Sequence, residues 1–434
     1  MGEVIEAVKL KKYPAYKESG VEWLGEIPEH WVLERLGQIL SSTSSKNHPK
    51  LPLLSITRER AVILRDLDDE EENHNYIPDD LSNYKLLKKG QFGMNKMKAW
   101  QGSYGVSPYT GIVSPAYYTF DLKEALHPDF FHIAIRSRLY ISFFGSASDG
   151  VRIGQWDLSR SRMKNIPFLI PPVEEQILIS QFLDRKTTQI DQAIDIKQKQ
   201  IELLKERRQI LIHQAVTRGL DPNVRMKDSG VEWIGEIPEG WEVVANKTIF
   251  TERNQPGNAS LPILTVSIHT AVSSEELDGE ENLRGKIRIE DKSAYKLVKI
   301  NDIVLNMMRA WQGAIGAVRT NGMVSPAYIV AQPKGYFNAG YFEYQYRTNA
   351  FIQQMDRSSK GITDFRKRLY WNEFKQLKTI LPPITEQQAI VTFIEISDQK
   401  IATAISLKEK EIEKLKEYKA TLINSAVTGK IRIY

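Results

Sequence analysis

Apolar residues recur every three or four positions along two long stretches of this chain. No Pro or Gly interrupts residues 173–216 or 384–427, and an unbroken helix of that length spans roughly 60–65 Å. The apolar positions follow a heptad pattern, which is typical of coiled coils. They are Leu183, Ile190, Ile194, Ile201, Leu204, Leu211 and Ala215 in the first stretch, and Ile394, Ile401, Ile405, Ile412, Leu415, Leu422 and Ala426 in the second. The sequence therefore predicts two long helices that pack on each other, and their order in the chain favours an antiparallel pair.

Charged residues interrupt both apolar seams at matched places. Lys197 in the first stretch corresponds to Lys408 in the second, and Arg208 corresponds to Lys419. Polar residues in such a seam lower stability and can fix the register of the pair. Alternatively, the long Lys and Arg side chains cover apolar surface while their charges reach water. Both interpretations stay open from the sequence.

The rest of the chain carries one set of motifs twice. The repeated motifs are KESGVEWLGEIPEHW at 17–31 and KDSGVEWIGEIPEGW at 227–241, NKMKAWQGSYG at 95–105 and NMMRAWQGAIG at 306–316, VSPAY at 113–117 and 324–328, and LIPPVEEQ at 169–176 and ILPPITEQ at 380–387. Their spacing is about two hundred residues, whereas solenoid repeats run roughly 20–50 residues. We infer a duplicated domain, each copy followed by one long helix. Such a chain is suited to reading two similar targets at a fixed distance.

Each copy mixes strand and helix patterns. The opening motif is rich in Gly, Pro and Trp and predicts a turn-bearing segment that docks on its domain. Residues 302–307 and 323–330 alternate like strands, while residues 129–144 and 341–355 are predicted to be helical. The fold class is therefore α/β (α+β), with two globular domains and an internal pseudo-two-fold repeat. The predicted divisions are an N-terminal segment and first domain at 1–172, a long helix at 173–218, a linker and second domain at 219–382, and a second long helix with a tail at 383–434.

Composition excludes few classes of protein. The chain has 434 residues, of which 41% are hydrophobic and 26% charged, an ordinary balance for a soluble protein. A net charge of +5 permits nucleic-acid binding without requiring it. No apolar run approaches the ~18 residues of a membrane span, so we expect no membrane association. The absence of cysteine excludes disulfides and thiolate metal sites, and it suits a cytoplasmic location.

Motifs of catalysis are largely missing. The chain has no GxxxxGK[ST] phosphate loop and no HExxH metal motif. Glu290 and Lys292, together with Asp278, could form the acidic and basic set of a nuclease, but the first copy lacks this set at the matching place. From the motifs alone we therefore assign no catalytic, metal or cofactor-binding residue. A self-sufficient nuclease remains as an alternative.

Residues suited to nucleic acid surround the WQG motifs. Lys and Arg neutralise phosphates, while Gln can bond to adenine edges. The candidates are Lys96, Lys98 and Gln101 in the first copy, and Arg309 and Gln312 in the second. The neighbouring Trp100 and Trp311 are either core anchors or part of the same surface.

A second group of candidates precedes the paired prolines. These residues are Arg152, Gln155, Arg160 and Arg162 in the first copy, and Arg366, Lys367 and Arg368 in the second. A basic surface in contact only with water is the alternative. Because these loops differ between copies while WQG and VSPAY do not, we expect base contacts in the differing loops and phosphate contacts near the shared motifs.

The ordered double set of motifs resembles the DNA-specificity (S) subunit of type I restriction-modification systems, over essentially the whole chain. The resemblance implies that each copy is a target recognition domain for one half of a bipartite, asymmetric site on double-stranded DNA, and that the long helices set the spacing. It implies a non-catalytic subunit that recruits two methyltransferase (modification) subunits and restriction/translocase subunits. S-adenosylmethionine, ATP and Mg would belong to those partners, and this chain would bind none of them. A coiled-coil scaffold that binds no DNA is the alternative.

Overall fold

The computed structural model describes residues 11–66, 78–150, 156–258, 260–274, 294–361 and 367–433. The chain divides into two compact units. Unit 1 comprises residues 1–197 and 409–434, and unit 2 comprises residues 198–408. Each long helix therefore contributes one part to each unit.

Unit 1 combines short strands with short helices. Its strands are β1 (Tyr16–Glu18), β2 (Glu26–Pro28), β3 (Val32–Arg35), β4 (Leu40–Thr43), β5 (Leu54–Thr57), β6 (Ala61–Leu64), β7 (Lys85–Leu87), β8 (Phe92–Met94), β9 (Tyr104–Val106), β10 (Gly111–Val113), β11 (Tyr118–Leu122), β12 (Ser148–Asp149), β13 (Asp157–Leu158) and β14 (Pro167–Ile170). Its helices are α1 (Leu36–Ile39), α2 (Pro128–Ile135), α3 (Arg138–Ser146), α4 (Arg160–Lys164) and the first part of α5 (Val173–Arg218).

Unit 2 repeats nearly the same order of elements. Its strands are β15 (Met226–Asp228), β16 (Glu236–Pro238), β17 (Glu242–Ala245), β18 (Phe250–Glu252), β19 (Leu264–Ser267), β20 (Ala271–Ser274), β21 (Lys296–Val298), β22 (Ile303–Asn306), β23 (Ile315–Ala317), β24 (Gly322–Val324), β25 (Tyr328–Pro333) and β26 (Lys378–Leu381). After the second part of α5, its helices are α6 (Asn246–Ile249), α7 (Ala339–Tyr346), α8 (Asn349–Ser358), α9 (Trp371–Phe374) and the first part of α10 (Ile384–Val427).

The central sheet has the same topology in both units. It is antiparallel, with order β4-β11-β8-β9 in unit 1 and β18-β25-β22-β23 in unit 2. Tyr118 lies opposite Met94, and Ile329 lies opposite Leu305 in the same register. The two domains can therefore be compared residue by residue. The mixed α/β prediction, with two domains joined by long helices, is confirmed.

The main core of each unit lies between its sheet, its helices and the start of a long helix. Trp31 and Trp241, which close the opening motifs, are fully buried in these cores. A smaller core lies around Ile56 and Val62 in unit 1 and around Val266 and Val304 in unit 2. The sequence predicted the opening motif as a docking segment, and these tryptophans are how it docks.

The stretches predicted to be helical, 129–144 and 341–355, are helical and each contains two helices. The first breaks at Arg136 and Ser137, between α2 and α3. The second breaks at Arg347 and Thr348, where the Thr348 side chain accepts a hydrogen bond from the Phe351 amide at 3.4 Å. An N-terminal cap of this kind starts a new helix, and apolar periodicity does not reveal it.

The long helices pair antiparallel where they meet within a unit. In unit 1, Asp191 of α5 accepts from Lys419 of α10 at 2.6 Å, and Lys197 donates to Glu411 at 2.6 Å. In unit 2, Arg208 forms a two-pronged ion pair with Asp398. Lys197, Arg208 and Lys419 thus form cross-helix ion pairs, which favours the interpretation that the basic seam residues fix register. No helix among the described residues has the length and apolar character needed to cross a membrane.

Candidate nucleic-acid interface

The WQG turn is built in the same way in both units. A single 3₁₀ turn, Ala99–Gln101 or Ala310–Gln312, ends at a glycine with φ of 93° or 92°. Left-handed backbone of this kind strains any residue with a Cβ, so the turn requires glycine. Asn95 accepts from the Met97 amide at 3.1 Å, and Asn306 accepts from the Met308 amide at 3.0 Å. These buried asparagines shape the turn and do not project from it.

A half-buried arginine ties each turn to a neighbouring hairpin. Arg136 donates to the carbonyls of Gly102 at 3.1 Å and Tyr104 at 2.7 Å, and also to those of Arg58 and Glu59. In unit 2, Arg347 makes the equivalent bonds to the turn and to the β19–β20 hairpin. The planar guanidinium can serve several carbonyls at once. It therefore holds the shared turn and the hairpin in one fixed arrangement.

The candidates next to the turn differ in their surroundings. Lys96 pairs with Asp157 at 2.9 Å, and the hydrogen bond to this carboxylate raises the pKa of Lys96. Lys98 is exposed and Gln101 is half-buried. In unit 2, Arg309 and Gln312 are both exposed. The exposed side chains project from a rigid turn, as an interface with nucleic acid requires.

The two WQG tryptophans are half-buried, unlike the fully buried Trp31 and Trp241. The rings of Trp100 and Trp156 lie 5.1 Å apart. Lys367 holds its ammonium 5.2 Å from the centre of the Trp311 ring, a distance at which a cation is attracted to an aromatic face. These tryptophans therefore organise side chains at the surface rather than anchoring the core.

The second group of candidates is only partly described. Arg152, Gln155 and Arg366 lie outside the described residues. Arg162 forms an ion pair with Asp149. Lys367 pairs with Asp356 at 2.8 Å, and Arg368 donates to the Lys367 carbonyl at 2.9 Å. Ion pairs at the surface are worth little, so these cations can exchange their protein partners for phosphate.

The structure adds two residues that sequence reasoning missed, Lys85 and Tyr118. The Arg160 guanidinium carbon lies 5.7 Å from the centre of the Tyr118 ring, and the Lys85 ammonium lies 6.0 Å from it. Burial, followed by the charges of Lys46, Lys96 and Arg160, lowers the pKa of Lys85. Four cations from distant parts of the sequence therefore gather in unit 1. Only the strand pairing reveals this cluster, because no motif connects its members.

Comparison with known proteins finds similarity to restriction-modification specificity subunits. A family model described as "Type I restriction modification DNA specificity domain" matches residues 234–417. The type I restriction enzyme MjaVIII specificity subunit of Methanocaldococcus jannaschii is 24% identical, over 96% of this chain and 97% of the relative. The EcoBI specificity subunit of Escherichia coli is 28% identical, over 63% of this chain and 59% of the relative.

The chain is therefore similar to specificity subunits of type I restriction-modification systems. Its fold is also similar to that of two solved chains. The HsdS subunit from Thermoanaerobacter tengcongensis matches with a TM-score of 0.55 and 14% identity, over 93% of this chain and 98% of that chain. A chain from a study of complex assembly and conformational transition of the type I R-M system matches with a TM-score of 0.64 and 12% identity, over 92% and 98%.

The two WQG surfaces are the candidate interfaces with nucleic acid. They combine the exposed side chains of Lys98, Arg309 and Gln312 with a backbone that buried Asn and half-buried Arg side chains hold in place. Within the described ranges, no group of three His, Asp or Glu residues could hold a metal ion. The charged and amide side chains at these surfaces can neutralise phosphates and bond to base edges.

Proposed function

We propose that each unit reads one half of a bipartite, asymmetric sequence in double-stranded DNA. The observation that carries this proposal is that the units share a backbone and differ at the surface. The WQG turn and its arginine are the same in both, whereas Lys96 and Arg160 of unit 1 correspond to Met307 and Trp371 of unit 2. A shared frame suits phosphates, which are the same in every sequence, while different side chains suit different bases. Two unlike readers in one chain give a site without palindromic symmetry.

The paired helices set the gap between the half-sites. Support comes from the cross-helix ion pairs within each unit, such as Arg208 with Asp398, which fix the register of α5 against α10. A helix has a fixed rise of about 1.5 Å per residue. A helix pair in fixed register therefore has one length, and this length would set the distance between the half-sites.

The subunit is not a catalyst and works by recruiting others. We propose that it binds two methyltransferase subunits, which use S-adenosylmethionine, and restriction/translocase subunits, which use ATP and Mg. An apolar stripe supports a docking role for α5: Ile196, Leu203 and Ile210 follow one another at heptad spacing and are 58%, 62% and 48% exposed. Repeated apolar residues of this kind on a helix that is already paired are suited to a further helix.

The test is selection of bound duplexes from a random DNA pool, using the full chain co-purified with its methyltransferase subunit. We expect two unlike half-sites separated by a constant number of unspecified bases. Replacing residues 31–170 with the corresponding domain of a relative should change one half-site and leave the other unchanged. A palindromic motif, a single uninterrupted motif or no enrichment would contradict the proposal, and the last result would favour a scaffold that binds no DNA.

A further inference from the structure

The two units carry different chemistry at one and the same place in their sheets. We call this place the strand-end site, because it lies where the central strands end beside the short helix that precedes the paired prolines. In unit 1 the site consists of Ser42, Lys85, Lys96, Tyr118 and Arg160. In unit 2 the corresponding residues are Glu252, Lys296, Met307, Ile329 and Trp371.

The correspondence rests on the backbone and not on similarity of sequence. Ser42 lies opposite Phe120 in the sheet of unit 1, and Glu252 lies opposite Ala331 in that of unit 2. Arg160 is the first residue of α4 and Trp371 is the first residue of α9. Tyr118 and Ile329 occupy the same register against the neighbouring strand.

One lysine of the site is common to both units. Lys85 donates to the Tyr117 carbonyl at 2.7 Å, and Lys296 donates to the Tyr328 carbonyl at 2.9 Å. Both carbonyls belong to the last residue of a VSPAY motif. This lysine therefore fixes the strand ending in each unit, and the other four positions are free to vary around it.

In unit 1 the varied positions form a donor-rich surface. Arg160 is exposed, stacks over Tyr118 and donates to the Ser42 hydroxyl. Stacking on an aromatic ring orients the planar guanidinium. Lys96 is held by Asp157, whose side chain is 56% exposed. Two oriented cationic donors match the paired O6 and N7 acceptors of guanine in the major groove.

In unit 2 the corresponding residues, Glu252, Lys296, Met307, Ile329 and Trp371, line a cleft of about 260 Å³. Met307, Ile329 and Trp371 contribute carbon surface, and Lys296 is the one cation among the lining residues that the structure describes. Glu252 can only accept hydrogen bonds when ionised, which suits the amino group of cytosine. Apolar side chains suit the C5 edge of a pyrimidine.

We propose that the strand-end site is the base-reading subsite of each unit, with a guanine bound in unit 1 and a pyrimidine bound in unit 2. The inference rests on the proposed function, because it assigns bases within half-sites that the two units are proposed to read. It assigns specificity to side chains of the sheet edge and of α4 and α9. The WQG turn then positions the domain on phosphate.

The test exchanges the chemistry between units in the full chain, co-purified with its methyltransferase subunit. The variants are Arg160→Trp with Lys96→Met in unit 1, and Trp371→Arg with Met307→Lys in unit 2. Lys123→Met is the matched control, since Lys123 follows the opposite end of β11 and pairs with Glu34. Bound duplexes are selected from a random pool for each protein and for the wild type.

We expect the unit 1 variant to lose one guanine from one half-site, with discrimination at that position falling about 10-fold or more. The other half-site and the gap should not change, and Lys123→Met should select the wild-type motif. The unit 2 variant should gain a guanine in the other half-site, which keeps the inference testable if the unit 1 variant does not fold.

Two results would overturn the inference while leaving the proposed function intact. The first is an even loss of affinity for all sequences with an unchanged motif, which is the behaviour of a phosphate contact. The second is a wild-type motif that contains no guanine in either half-site. Absence of any motif for the wild type would instead overturn the proposed function itself.

Discussion

Trp31 donates its indole N–H to the carboxylate of Glu175 at 3.0 Å, and Trp241 donates to Glu386 at 2.8 Å in the same way. Each bond joins the end of an opening motif to the first turn of a long helix. The relationship explains why the two motifs, GVEW…W and PP…E, recur together in both copies. Because both tryptophans are fully buried, each domain and its helix fold as one body.

Replacing either tryptophan with phenylalanine should destabilise the unit that contains it. The phenyl ring keeps most of the apolar contact but removes one hydrogen-bond donor from a partly buried carboxylate, which costs about 1–3 kcal/mol. In unit 1, Glu175 keeps its bonds to Tyr13 and His30. We expect hydrogen exchange, followed by mass spectrometry, to speed up in unit 1 for Trp31→Phe and in unit 2 for Trp241→Phe. Each variant is the control for the other, and equal acceleration in both units would contradict the account.

Stability should fall at mildly acidic pH because of His132. Its Nδ1 accepts the Val106 amide at 3.2 Å, and burial, followed by the Arg136 charge, lowers its pKa to about 4. Between pH ~6.5 and ~4 the unfolded chain binds a proton that the folded chain does not, so the free energy of unfolding decreases over this window, by up to about 3 kcal/mol. Above pH ~6.5 the contribution of neutral His132 to the free energy of unfolding is fully present.

The corresponding residue of unit 2 supplies a comparison for this titration. Glu343 accepts the Ala317 amide at 2.7 Å, in the place where His132 accepts that of Val106. His132→Gln retains an acceptor but removes the titration. Urea unfolding from pH 4 to pH 8 should therefore show a flatter pH profile for unit 1 in this variant. An unchanged profile would show that His132 is not the cause.

The arginines behind the WQG turns should not tolerate lysine. Arg136→Lys loses the planar guanidinium that donates to four carbonyls. A carbonyl that stays buried but loses its donor destabilises the folded protein by about 1–3 kcal/mol. We expect faster hydrogen exchange of the amides in the β5–β6 hairpin. We also expect weaker DNA binding at one half-site only. Arg138→Lys, at an exposed position two residues later, is the control and should change neither quantity.

The apolar stripe on α5 should be needed for assembly. Leu203→Glu replaces an apolar residue with a charge in the proposed contact with the methyltransferase subunit. Loss of an apolar residue at the centre of an interface commonly lowers affinity by more than about 10-fold. Gln200→Glu adds the same charge at an exposed polar position and is the control. Co-purification of the two proteins at measured stoichiometry decides the question. Retention of the partner by Leu203→Glu would place the contact elsewhere.

The sequence predicted the repeat, the fold class and the long helices because each follows from a local pattern. Heptad spacing shows in one stretch of residues, and the motifs show when the copies are aligned. It did not predict the breaks within 129–144 and 341–355, because the apolar periodicity runs through both. The second break lies at the capping residue Thr348. A cap acts through one hydrogen bond and leaves no trace in the apolar pattern.

The candidate interface was harder to predict, because pairing of distant strands creates it. Lys98 and Arg309 were found beside a motif and are exposed. Lys85 and Tyr118 were missed, since they meet Arg160 only through the register of the sheet. Asn95 and Asn306 open the two motifs, and their side chains are used within the turn.

The central claim is that one chain holds two different readers at a distance set by its paired helices. Its most direct test is the insertion of one heptad into both helices, after Lys197 in α5 and before Glu411, its ion-pair partner in α10. Seven residues add roughly 10 Å, so selection of bound duplexes should give the same two half-sites with a gap longer by up to about three base pairs. Seven residues inserted between Gly219 and Arg225 lengthen the chain but not the helices, and should leave the gap unchanged. An unchanged gap after the double insertion, or altered half-sites, would contradict the account.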